Sequence, residues 1–97
     1  MWISVTMKAM LRKLTEDFNN YSELVALNYA KKEEGKCDEG TLEWNRGHLN
    51  CTEEYLTALA DVMGVKLEYK CDTHSFGFGD WKRNLEYRTV QIVDDEN

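Results

Sequence analysis

Residues 60–71 read "ADVMGVKLEYKC". Up to Met63 the apolar positions recur with helical spacing, and from Val65 onward they alternate. Val65, Leu67, Tyr69 and Cys71 fall on one face and Lys66, Glu68 and Lys70 on the other, the pattern of a half-buried strand. The period switches from helix to strand at Gly64, a residue that ends helices in the left-handed conformation, with Val65 as the hydrophobic residue such a cap buries. One glycine therefore joins a helix directly to a strand, and the rest of the chain is read from that junction.

Upstream, Thr41 to Met63 is helical. Leu42, Leu49, Leu56 and Met63 recur every seven residues, and beside them runs a second line, Trp44, His48, Cys51, Tyr55, Leu59 and Val62. Two adjacent lines make a wide apolar face, so this helix is expected to be the more buried one. Gly47 and the weak capping signal of "NCTE" raise a break, but one helix, bent if anywhere near Gly47, is the preferred reading. "EGKCDEG", Glu34 to Gly40, is the clearest loop. Before it, Met7, Leu11, Leu14, Phe18, Tyr21 and Val25 form the seam of a first helix over 7–33, broadened by Met10, Leu24 and Tyr29 and closed at Gly35.

Downstream, 85–93 ("LEYRTVQIV") is a second strand, pairing with 65–71. "DTHSFGFGDWKRN" between them reads as a long turn whose Phe76-Gly77-Phe78-Gly79 centre holds a short extra strand or an aromatic tip. Residues 94–97 read as a frayed polar tail, and "WISV" at the start is open to a strand. The expected fold class is α+β in ααββ order, a two-helix hairpin packed on a small antiparallel β-hairpin or three-stranded sheet. It fills a single domain over 1–97.

The 97 residues are 42% hydrophobic and 31% charged, a globular composition with no apolar run long enough to cross a membrane. The lysine at position 8 interrupts the start, which does not read as a signal peptide. Three cysteines, an odd number, argue for free thiols in a reducing, cytoplasmic setting. A net charge of −6 disfavours direct binding to phosphate backbones and favours a basic protein partner.

"HLNC" (His48 to Cys51) and "CDTH" (Cys71 to His74) read as mirror images. Across the tight turn at Gly64, Cys51 and Cys71 lie about 20 Å and about 23 Å from the turn, by the usual rises of helix and strand. His48, Cys51, Cys71 and His74 can thus meet at one level, which keeps a zinc-stabilised module open. The competing reading, core packing of Cys51 and Cys71 on inward faces, is preferred, and no metal or other cofactor is assigned. No nucleophile motif, phosphate loop or metalloprotease motif is present, so the chain is read as a non-enzyme.

Two sets of side chains point to binding. Glu33, Glu34, Asp38, Glu39 and Glu43 crowd the loop between the helices and suit a basic groove. Phe76, Phe78 and Trp81, followed by Lys82 and Arg83, form an aromatic tip that can anchor a partner. In character, and through the helix–glycine–strand unit of "EWNRGHLNCTEEYLTALADVMGVKLEYK", the chain resembles small accessory proteins of bacteriophages and mobile genetic elements, anti-CRISPR proteins among them. The resemblance transfers no catalytic residue. It implies a stoichiometric inhibitor, acting in the cytoplasm of a bacterial host, that occludes a basic nucleic-acid-binding surface of a nuclease or Cas effector. Two alternatives stand beside it: an oligomeric protein that sequesters a small ligand or nucleotide between Trp44, His48, Tyr55 and the aromatic tip, and the zinc-stabilised module. A homodimer through the second helix is a further expectation.

Overall fold

The computed structural model describes residues 5–36, 38–78 and 80–93, with the side chain of Phe78 left aside. The expectations for "WISV" up to Ser4 and for the 94–97 tail lie outside the described residues. Two helices, α1 (Val5–Glu33) and α2 (Glu39–Met63), precede two strands, β1 (Leu67–Phe78) and β2 (Trp81–Ile92). The strands form one antiparallel two-stranded sheet, so the α+β, ααββ arrangement is as the sequence reads.

Both helix ends follow the glycines. At Gly35 (φ 69°) the Lys36 N–H reaches Lys31 O at 2.8 Å and the Gly35 N–H reaches Lys32 O at 2.9 Å. At Gly64 (φ 68°) the Val65 N–H reaches Ala60 O at 2.8 Å and the Gly64 N–H reaches Asp61 O at 3.1 Å. These paired bonds satisfy carbonyls that a helix end would otherwise leave orphaned. α2 starts two residues earlier than Thr41, because Asp38 caps it: its carboxylate accepts from the Thr41 N–H at 3.3 Å. The helix runs through Gly47 and Asn50 without interruption.

The hairpin corrects the expected long turn. Residues 72–78 pair with 81–87, and the register from Leu67↔Ile92 to Phe78↔Trp81 leaves only Gly79 and Asp80 as the connection. The aromatic and β-branched content of "THSFGF" and "WKRNLEYRTV" favours strand, and Gly-X is a two-residue hairpin signal. Those signals outweigh the two glycines that suggested a loop.

α1 is the middle element, packing α2 on one side and β2 on the other. Its seam is as predicted: Leu11, Phe18 and Val25 are buried, and Met7 and Leu14 pack against the core. Met10, Leu24 and Tyr29 do not broaden the seam, since all three are exposed. On α2 the heptad line is buried at Leu42, Leu56 and Met63, but the second line is buried only in part: His48 and Leu59 are half-buried, with Leu59 against the core, while Trp44 is 68% exposed, Tyr55 66% and Val62 54%. The cause is layering. α2 meets only one principal neighbour, α1, and a helix with one neighbour buries one stripe. Leu11, Phe18, Leu56, Ala60, Met63 and Val90 make the core, with Val65, Leu67 and Ile92 from the hairpin base packed against it.

Candidate functional site

Hairpin and helices are fastened at three levels. In the middle, Asn19 on α1 forms a two-way bond with the backbone of β2: the Val90 N–H donates to Asn19 Oδ1 at 2.7 Å and Asn19 Nδ2 donates to Val90 O at 3.1 Å. At the same height the Arg88 guanidinium lies 5.6 Å from the Phe18 ring and 5.2 Å from the Tyr69 ring and donates to Glu53 on α2 at 3.1 Å. It straps β2 across the core to the second helix. One step further, Tyr87 Oη donates to Glu23 Oε2 at 2.9 Å, and His74 Nδ1 stands 3.4 Å from both oxygens. Burial, then the bond to Glu23, pushes the Tyr87 hydroxyl up to about 12, so the donor is held to a higher pH than in a free tyrosine.

At the far end the predicted acidic residues come together, each with a partner inside the chain. Arg83 reaches Glu33 at 2.8 Å and Glu34 at 3.6 Å, Lys32 reaches Glu39 at 3.3 Å, and Arg46 reaches Glu43 at 3.3 Å. Asp38 is engaged as the cap of α2. The five carboxylates share this end with Lys31, Lys32, Lys36, Arg46 and Arg83, so its formal charge is balanced. The acidic excess of the chain lies elsewhere. Exposed pairs of this kind are weak, so a partner can still exchange them, but no concentrated negative potential is presented here.

The aromatic tip becomes part of the hairpin. Phe76 is half-buried and meets His74 edge-on at 5.3 Å, while Trp81, half-buried, stands opposite Phe78 at the closing rung. Phe76 also lines an open cleft of about 430 Å³ with Ser75, Gly77, Lys82, Arg83 and Asn84. Trp44 and His48 line a different depression, of about 370 Å³, with Glu43, Gly47 and Cys51. The two sets envisaged as one ligand pocket thus border separate clefts.

The His/Cys pairs do not converge. His48 stacks on Tyr21 at 5.1 Å with planes 7° apart, and Trp44 packs against it at 4.7 Å with its plane tilted by 60°. His74 belongs to the Glu23–Tyr87 cluster. Cys51 and Cys71 are free thiols and both exposed, which corrects their expected place on inward faces. Along the hairpin the buried positions change face: Val90, opposite Tyr69, is buried on one face, whereas Leu85 is buried on the other, where Tyr87 also bonds Glu23 of α1, and Cys71 is left exposed. Among the described residues no group of three or more His, Cys, Asp or Glu side chains could hold a metal ion.

What sequence reasoning missed is the surface left by the exposed second line of α2. Met10, Lys13 and Leu14 of α1 face Tyr55, Ala58, Leu59 and Val62 of α2 across an almost wholly apolar groove of about 590 Å³. Its signal is present in the sequence: Met10 and the second line of α2 add apolar width, which the pattern leaves open to core, dimer interface or ligand pocket but does not pair into a groove between the helices. Exposed Glu54 and Asp61 lie beside Ala58 on α2 and make the rim acidic.

No family model matches the chain, and neither a curated protein nor a solved structure matches it. No helix among the described residues is long and apolar enough to cross a membrane.

Proposed function

We propose that this is a non-enzymatic binding protein that takes an amphipathic, basic segment of a protein partner into the α1–α2 groove. The observation that carries it is the groove itself: Met10, Tyr55 and Val62 are large, exposed and line one groove that no hairpin residue borders. Scattered exposed apolar residues need no explanation, but a contiguous groove between two helices is a recurrent docking surface for a third. The chain's net charge of −6 and the rim carboxylates Glu54 and Asp61 favour a cationic partner. A nucleic-acid-processing enzyme presents such segments. The finer form of the reading is a stoichiometric inhibitor of a bacterial nuclease or Cas effector, encoded by a phage or mobile element.

Differential capture tests it. Immobilised wild-type protein, a groove variant (Tyr55→Glu with Val62→Glu) and a loop-end variant (Glu33, Glu34, Glu39 and Glu43 to Lys) are exposed to the same bacterial extract. The expected result is a basic protein held by the wild type and the loop-end variant and lost by the groove variant. Loss only by the loop-end variant moves the contact to the acidic loop, and equal capture by all three removes the groove reading.

A further inference from the structure

The two outer edges of the hairpin are treated differently. Lys66 O accepts from the Val93 N–H at 2.9 Å, and with a period of two the bonded rungs of β1 then fall on Glu68, Lys70, Asp72, His74, Phe76 and Phe78. The N–H and C=O groups of Leu67, Tyr69, Cys71, Thr73, Ser75 and Gly77 therefore point away from β2. On β2 the equivalent outward groups at Val90 are taken by Asn19. On β1, among the described residues, no backbone hydrogen bond reaches them, and α1 packs on β2 rather than on β1. β1 is 12 residues long and contains no proline. Edge strands left this long are normally shortened, bulged or covered, because they template pairing with another chain.

The geometry points to a two-fold dimer in which β1 pairs antiparallel with β1 of a second copy about Cys71, making one four-stranded sheet. Charge selects this occupant and this register. With the axis at Cys71, Lys70 stands opposite Asp72 of the second copy, twice by symmetry, and Glu68 opposite the imidazole of His74, with no like charges opposed; Glu68 and Asp72 also keep Gln91 and Thr89 on β2 within reach. The other face pairs Tyr69 with Thr73, an aromatic and a β-branched residue. The alternatives are poorer. An axis at Lys70 sets Lys70 against Lys70 and Glu68 against Asp72. One at Asp72 opposes Asp72 to itself and Lys70 to His74. An axis at Thr73 sets Asp72 opposite His74 but leaves Lys70 opposite Phe76, without a carboxylate. One at Tyr69 matches charge but overlaps only Leu67 to Cys71. The lysine and carboxylates that would guard this edge against other strands become complementary against the strand itself in this register.

The test uses the full chain and reads mass and cross-linking. Sedimentation should give twice the 11.4 kDa chain mass. With Cys37→Ser and Cys51→Ser, diamide should link the remaining Cys71 thiols into a covalent dimer, two electrons and two protons passing to the diamide. Bonded antiparallel residues lie about 5.5 Å apart at Cα, inside the disulfide range. Thr73→Pro removes an outward N–H without touching the β1–β2 ladder, and it should weaken self-association roughly tenfold or more. Lys70→Asp should also weaken it, and adding Asp72→Lys should restore it. A wild-type monomer well above micromolar concentration overturns the proposal. So does a dimer that survives Thr73→Pro with Cys71 unlinked, or one lost instead in Tyr55→Glu.

Discussion

The side-chain amide of Asn19 and the backbone of Val90 satisfy each other, donor to acceptor in both directions, at 2.7 and 3.1 Å. Val90 is 2% exposed, so water has little access to replace Asn19 there. Asn19→Ala is expected to cost about 1–3 kcal/mol, the penalty for burying unsatisfied backbone groups. Asn19→Asp keeps the acceptor but sets a carboxylate oxygen against the Val90 carbonyl, so it should recover no stability relative to Asn19→Ala. Urea unfolding of the three proteins measures both.

Asn45 Nδ2 donates to Asn28 Oδ1 at 2.6 Å where the upper parts of α1 and α2 meet, and both residues are buried. Removing one partner strands the other. Asn45→Ala should destabilise by about 1–3 kcal/mol, while Asn28→Leu with Asn45→Ala should lose less than the two single changes together. A double-mutant cycle by chemical denaturation checks the coupling, and strict additivity would count against a paired amide.

The two apolar lines of α2 should behave oppositely. Leu56→Ala empties a fully buried site and is expected to cost about 2–5 kcal/mol. Val62→Ala or Tyr55→Ala, on the exposed line, should stay within about 0.5 kcal/mol of wild type. Thermal melts of the three variants suffice. A large loss at Tyr55 would mean that the groove is closed in solution.

Tyr87 predicts a pH dependence. Its hydroxyl is raised from an ordinary value near 10 to about 12 in the folded protein. A raised value means that the folded state holds the proton more tightly than the unfolded state. Its stabilising contribution is therefore complete below pH 10 and is lost as the pH climbs from 10 through 12. Wild-type stability should fall across that window more steeply than that of Tyr87→Phe, as followed by denaturation at a series of alkaline pH values.

His48 stacks on Tyr21 and His74 stands beside Glu23, so among the described residues the two His/Cys pairs share no site whose occupancy chelation would change. Melting temperature with and without EDTA should coincide, and added zinc should leave it unchanged. A chelator-induced drop would restore the zinc module.

Much of this architecture is written locally. The change of period at Gly64, the seven-residue recurrence from Leu42 to Met63 and the glycine at 35 each act within a turn or two of chain. They determined two helices, a tight helix–strand junction and a following hairpin without reference to any distant residue. The hairpin's length was also locally encoded, in the run from Thr73 to Phe78 and from Trp81 to Tyr87, but the paired glycines masked it.

Which apolar residues are buried is a different kind of fact. A helix pattern gives the width of an apolar face, not the number of neighbours that will cover it. Only the stacking of α2, α1 and β2 in that order decided that α2 buries Leu56 and exposes Tyr55 and Val62. The way the hairpin lies on α1 similarly decided that Cys71 is exposed while Leu85 is buried. Tertiary placement also paired Glu33 and Glu34 with Arg83, fifty residues away, turning a run that reads as acidic into a balanced end. Charge and hydrophobicity belong to residues, but potential and burial belong to arrangements, and the arrangement is set by long-range packing that no local pattern records.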